Sequence, residues 1–128
     1  MKKLDELINK YPKAFESDWY GFECQDGWYD IIEPVIKAIN EHNITMDNPQ
    51  GRYIYPAQVK EKFGTLRFYY QGGDDFIHGA TWLAESMTGM LCEECGGLGK
   101  RREGGWIRTL CDKHEDERQE RMLLKEGF

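Results

Sequence analysis

The chain has 128 residues, a formal net charge of −6, 40% hydrophobic and 13% aromatic residues, which is one domain's worth of polypeptide with a modest core. The acidic balance disfavours a general backbone-driven grip on DNA or RNA, although it leaves room for a local basic patch. No apolar run has the form of a signal peptide or a membrane span, so a soluble cytoplasmic protein that is not embedded in a membrane is expected.

In chain order, Leu4, Leu7, Ile8 and Tyr11 recur at helical spacing before Pro12, predicting a short helix over 3–11. The stretch KAFESDWYGFECQDGWYD has no clean period, and Phe15, Trp19, Phe22 and Trp28 are expected to pack against the core. The clearest helix follows, with Ile32, Val35, Ile36 and Ile39 on one face. Asp30 and Glu33 fit a capping box that places Pro34 in or just after the first turn; a start nearer Trp28 puts the proline deeper and implies a kink.

A polar turn, TMDNPQGR, leads into strands. Val59, Glu61 and Phe63 share one parity, Gly64 permits a turn or bulge, and Leu66, Phe68 and Tyr70 align inward on the next strand, leaving Arg67 and Tyr69 outward. Tyr53 and Tyr55 suggest an earlier strand that Pro56 ends or holds at an edge. After Gly72 and Gly73, Asp74 or Asp75 is expected to cap a helix striped by Phe76, Ala80, Leu83 and Met87 and closed by Gly89. The class is α+β: a body over 1–90 with a small antiparallel sheet and packed helices, and a metal-binding segment over 91–128 packed on it.

That segment, LCEECGGLGKRREGGWIRTLCDKH, has two ligand pairs, Cys92-x2-Cys95 and Cys111-x2-His114, separated by fifteen residues. Two-residue spacers let neighbouring side chains converge on one ion, and the loop between them is long enough to complete a tetrahedron. Thiolates with one imidazole suit one Zn²⁺, and four protein ligands mark a structural site, since catalytic zinc keeps a position for water. Gly96 and Gly97 permit a tight knuckle, Gly104 and Gly105 a hairpin turn, and Cys111 to His114 the opening of a helix whose early acids favour its positive end. Knuckle, hairpin and ligand-bearing helix resemble the treble-clef zinc fingers over about residues 91–125. Together, VKEKFGTLRFYY, CEECG and GWIRTLCDKH look like small bacterial and phage zinc-binding proteins, a resemblance that carries no activity.

Lys100, Arg101, Arg102 and Arg108 sit near the ligands and can offset the site's formal charge or, with Trp106, contact a nucleic acid. Glu103, Asp112, Glu115, Asp116 and Glu117 crowd the same region and nearly cancel them. A metal-dependent nuclease needs a second histidine-bearing metal site on the hairpin, and GGWIRTL has neither histidine nor carboxylate. His42 and His78 each stand alone, and nucleotide phosphates find no Gly-rich cradle. The expected function is therefore a noncatalytic, zinc-stabilised protein-binding or regulatory module, with Arg67, Tyr69, Lys100, Arg101, Arg102, Trp106 and Arg108 as contact candidates. A nucleic-acid-binding adaptor is the alternative, and a metal-dependent nuclease or other hydrolase ranks below it. Cys24 lies outside the ligand pattern and reads as a buried free thiol.

Overall fold

A computed structural model describes residues 2–45 and 53–125; of the polar turn TMDNPQGR expected just before the sheet, all but Thr45 lies outside the described residues. Helices α1 (Glu6–Lys10), α2 (Tyr29–Thr45), α3 (Asp75–Met87) and α4 (Asp112–Lys125) alternate with strands β1 (Phe22–Glu23), β2 (Tyr55–Lys62), β3 (Thr65–Gln71), β4 (Lys100–Arg102) and β5 (Arg108–Leu110). This is the expected α+β arrangement, with β4 and β5 forming a hairpin that α4 follows. One addition was not foreseen: β1 joins the sheet parallel to β2, pairing Phe22 with Val59, so the order is β1-β2-β3.

The core is built from the residues that periodicity marks. Leu4 and Leu7, Ile32, Ile36 and Ile39, Ile54, Val59, Leu66 and Trp28 are fully buried. Phe15, Trp19 and Phe22 meet edge to face at centroid distances of 5.0 and 4.7 Å between successive rings, the arrangement aromatic quadrupoles favour. Asn43, buried on α2, donates to the carbonyls of Lys13 (2.9 Å) and Ile54 (2.8 Å) and accepts from the Ile54 amide (2.9 Å), tying three segments with a fully used side chain.

Three local expectations are corrected. α2 begins at Tyr29, straight out of a 3-10 turn over Asp26–Trp28, so Asp30 is not its cap. Glu33, instead of boxing the helix start, accepts hydrogen bonds from Lys10 (2.6 Å), Tyr11 (3.1 Å) and Tyr29 (3.3 Å). Pro34 thus lies inside the helix on its exposed side, leaving the Asp30 carbonyl without its i+4 donor where solvent reaches. Pro56 does not end a strand; it pairs with Tyr70 and is followed by a bulge before Gln58.

The third concerns α3. Asp74 caps it, accepting from the Ile77 amide at 3.2 Å, but the buried face is Ile77, Thr81 and Ala84, while Phe76, Leu83 and Met87 are exposed. The cause is the open edge of β3: its Phe68 amide donates to Glu85 (2.8 Å) and its Leu66 amide to Thr88 (3.0 Å), so the helix turns those polar side chains to the sheet. The apolar stripe then faces Ile31, Pro34 and Ala38 of α2 across an open groove. Gly89 does not cap the helix, which passes into a 3-10 turn over Thr88–Met90.

The β2–β3 hairpin closes at Lys62 and Thr65 with Phe63 and Gly64 between them, at φ 53° and 86°. Positive φ at both positions is the type I′ pattern, which matches the sheet's twist and favours Asn-Gly. Phe63 therefore leaves the ladder rather than continuing the parity of Val59 and Glu61. Holding a bulky residue in that region costs about 1–3 kcal/mol.

Candidate metal centre

Backbone geometry shapes the knuckle first. A bridge between Leu91 and Leu98 closes its base. Inside it the Cys92 amide donates to Gly97 (2.7 Å), the Gly96 amide to Cys92 (2.8 Å) and the Gly97 amide to the Cys95 sulfur (3.4 Å). Gly96 adopts φ 80°, a conformation that glycine enters without penalty. The hairpin returns with Lys100 opposite Leu110 and Arg102 opposite Arg108, delivering Cys111 to the start of α4 and His114 to its first turn.

The four side chains named from spacing converge. The sulfurs of Cys92, Cys95 and Cys111 and one His114 nitrogen all lie within 4.8 Å of one another. His114 Nδ1 is 3.1 Å from Cys111 Sγ and 3.5 Å from Cys92 Sγ, and the Cys95 and Cys111 sulfurs are 3.9 Å apart. Around one tetrahedral zinc, ordinary bond lengths place sulfurs about 3.8 Å apart and sulfur and nitrogen about 3.6 Å apart. The Cys3His cluster therefore fits that ion.

Electrostatics in the cluster favour a cation. Burial opposes ionisation of Cys92, but backbone hydrogen bonds at Cys111, Cys95 and Glu94 outweigh it and bring the thiol down to about 7. The Gly97 amide favours the Cys95 thiolate, yet burial and the neighbouring Cys92 and Cys111 push its thiol up. Three sulfurs this close do not all ionise readily unless a positive ion sits among them. His114 turns its other nitrogen, Nε2, toward the carboxylates of Glu94 (3.7 Å) and Glu117 (3.8 Å), which favours the tautomer that leaves Nδ1 free as a ligand.

The knuckle is seated on the body by contacts that sequence reasoning missed. Trp28 Nε1 donates to the Leu91 carbonyl (3.0 Å), the Gly27 amide to Glu93 (2.7 Å) and Thr109 Oγ1 to Gly64 (2.7 Å). Glu93, between the first two cysteines, is buried; it accepts from the Gln25 amide at 3.0 Å and from Arg108 at 3.2 Å. Burial raises the Glu93 pKa, and Arg108 opposes that. A charged residue in CEEC carries no sequence signal that it will point inward; only its partner fifteen residues later explains it.

The contact candidates divide. Arg102 is spent on the Leu110 carbonyl (3.1 Å) and Asp112 (2.6 Å), and Arg108 on Glu93 and Glu94. Lys100 and Arg101 are exposed, Arg101 beside Glu103 at 3.3 Å. Trp106 is exposed and donates from Nε1 to Glu61 at 3.0 Å. Glu61 stands opposite Leu66, whereas Arg67, bonded to Thr65 (2.7 Å), and exposed Tyr69 alternate onto the other face of β3. Arg67 stands opposite Lys60 across the ladder, and Lys60 lines a cleft with Trp106. Of the other histidines, His78 pairs through Nδ1 with the Tyr70 hydroxyl, and His42 lies on α2.

Cys24 is buried away from the cluster, and its thiol is pushed up to about 12, first by burial and then by Glu93. At pH 8 only roughly one Cys24 in ten thousand is then a thiolate, the nucleophilic form. Iodoacetamide should leave Cys24 unmodified in the folded protein and label it once urea is added, as peptide mass mapping reads; rapid labelling of the native chain contradicts this.

Among the described residues, no helix is long and apolar enough to cross a membrane. Comparisons with protein families, with curated proteins and with solved structures return no match.

Proposed function

We propose that the chain is a noncatalytic binding module, held together by one structural zinc on Cys92, Cys95, Cys111 and His114, whose partner is a protein. One observation carries the reading: four protein ligand atoms already lie within 4.8 Å of one another, a complete tetrahedral set that keeps no position for water or substrate. The order of knuckle, hairpin and helix supports a treble-clef-like module over 91–128, with residues 1–90 as its platform and the cytoplasm as its place of work.

When bound, zinc supplies cross-linking and charge neutralisation rather than a reactive water. The chain's own residues do the rest: the Glu94 and Glu117 carboxylates orient His114, Arg108 neutralises buried Glu93, and Trp106 is presented outward on the hairpin. Exposed apolar side chains at Trp106 and along Phe76, Leu83 and Met87 favour a protein partner. A nucleic-acid adaptor is the second reading, resting on exposed Lys100 and Arg101; Arg102 and Arg108, engaged with carboxylates, weaken it. Native mass spectrometry of protein from its own host, purified without added metal, tests both. One zinc with a retained protein is expected; a retained nucleic acid favours the second reading, and absence of zinc sinks the metal assignment.

A further inference from the structure

Phe63 occupies a backbone conformation that its side chain opposes, and burial does not compensate: φ is 53° and the residue is 62% exposed. Backbone strain of this kind clusters at ligand-binding and switch sites. Trp106, 72% exposed, lines the same cleft of about 310 Å³, together with Lys60, Lys62 and Ile107. One carboxylate braces both turns: Glu61 Oε2 accepts from the Gly64 amide (2.8 Å) and Oε1 from the Trp106 indole (3.0 Å). Accepting from two neutral donors leaves the Glu61 carboxylate's charge in place, so Lys60 and Lys62 give the cleft lining one net positive charge, and Lys62 Nζ lies 5.9 Å from the Phe63 centroid.

We infer that the Phe63–Trp106 cleft grips an acidic segment of a protein partner, taking one of its apolar or aromatic side chains between the rings and its carboxylates on Lys60 and Lys62. This rests on the protein-binding reading and locates its contact surface. Aromatic anchors with adjacent cations are the side chains that concentrate binding energy at interfaces. A single strand of nucleic acid needs a track of cations along its backbone, whereas the cleft offers two lysines, enough for the carboxylates of one short segment.

The test uses the full chain loaded with zinc, with metal content measured on every sample. NMR follows the Trp106 indole and Gly64 amide while three probes are titrated: acetylated, amidated Glu-Asp-Phe-Glu-Asp, its Phe→Ser counterpart, and a twelve-residue oligothymidylate. The phenylalanine peptide should shift both signals and bind at least fivefold tighter than the serine peptide. Phe63→Asn should weaken it at least fivefold while raising the urea midpoint, because Asn suits the turn. A lowered midpoint means the ring serves the fold and overturns the inference. So do equal binding of the two peptides, no shift with either, or shifts with the oligonucleotide alone. Failure with one zinc per chain leaves the metal reading standing; zinc-free samples sink that reading separately.

Discussion

Replacing Cys95 with serine should abolish zinc binding, taking metal content from one ion per chain to none, and should strip amide-exchange protection from residues 91–125. The expected effect is large because metal binding to such a site is folding free energy; structural zinc contributes an apparent ~10–16 kcal/mol in isolated fingers at pH 7. Within the module itself little else holds it, since β4 and β5 are three residues each and α4 has one buried side chain, Arg118; the remaining ties run from the knuckle and Thr109 to the body. The body should keep its protected core, because the large apolar cluster runs from Leu4 to Ala84 and takes only partly buried Leu91 from the module. Hydrogen exchange with metal analysis checks this, and unchanged zinc content would refute the ligand assignment.

Gly27→Ala should destabilise the protein by about 1–3 kcal/mol or more, the cost of forcing atoms into a packed site that cannot yield. An added Cβ would stand 2.3 Å from the Glu93 carbonyl oxygen and 2.4 Å from that of Cys92, both backbone atoms of the knuckle. The Gly27 amide also donates to Glu93 at 2.7 Å, so pushing the segments apart breaks that bond as well. Gly27 has no positive φ, and alanine alone would restrict the unfolded chain and stabilise slightly; the close approach decides the sign. Gly79→Ala is the matched control: it lies within α3 with nothing within 4 Å of the added atom. That change should stabilise by roughly 0.5–1 kcal/mol. Urea titrations of both variants check the pair, and a neutral Gly27→Ala would mean that the knuckle is not seated where the structure puts it.

The Gly27 result turns on the junction between knuckle and body, which no local pattern announces. The metal cluster itself was legible, because ligand chemistry and two-residue spacers are local properties. The helices and the inward set Leu66, Phe68 and Tyr70 were legible for a similar reason: period 3.6 or 2 is written in consecutive side chains. Reading α3 failed where two faces compete, since periodicity marks an apolar stripe but not whether a sheet edge demands polar partners from the other side. The α2 start failed because Glu33 found Lys10, Tyr11 and Tyr29 rather than its own helix terminus.

By itself, then, the sequence determined the α+β class, the principal helices, the hairpin and the four converging ligands, all of which follow from short-range spacing. Only the tertiary structure decided that β1 pairs parallel, that Glu93 and Arg108 form a buried bond under the knuckle, that Arg102 is spent internally, and that Phe63 and Trp106 share one cleft. Those outcomes depend on which distant backbone groups need a partner once the chain is compact. Spacing along the chain carries no information about that demand.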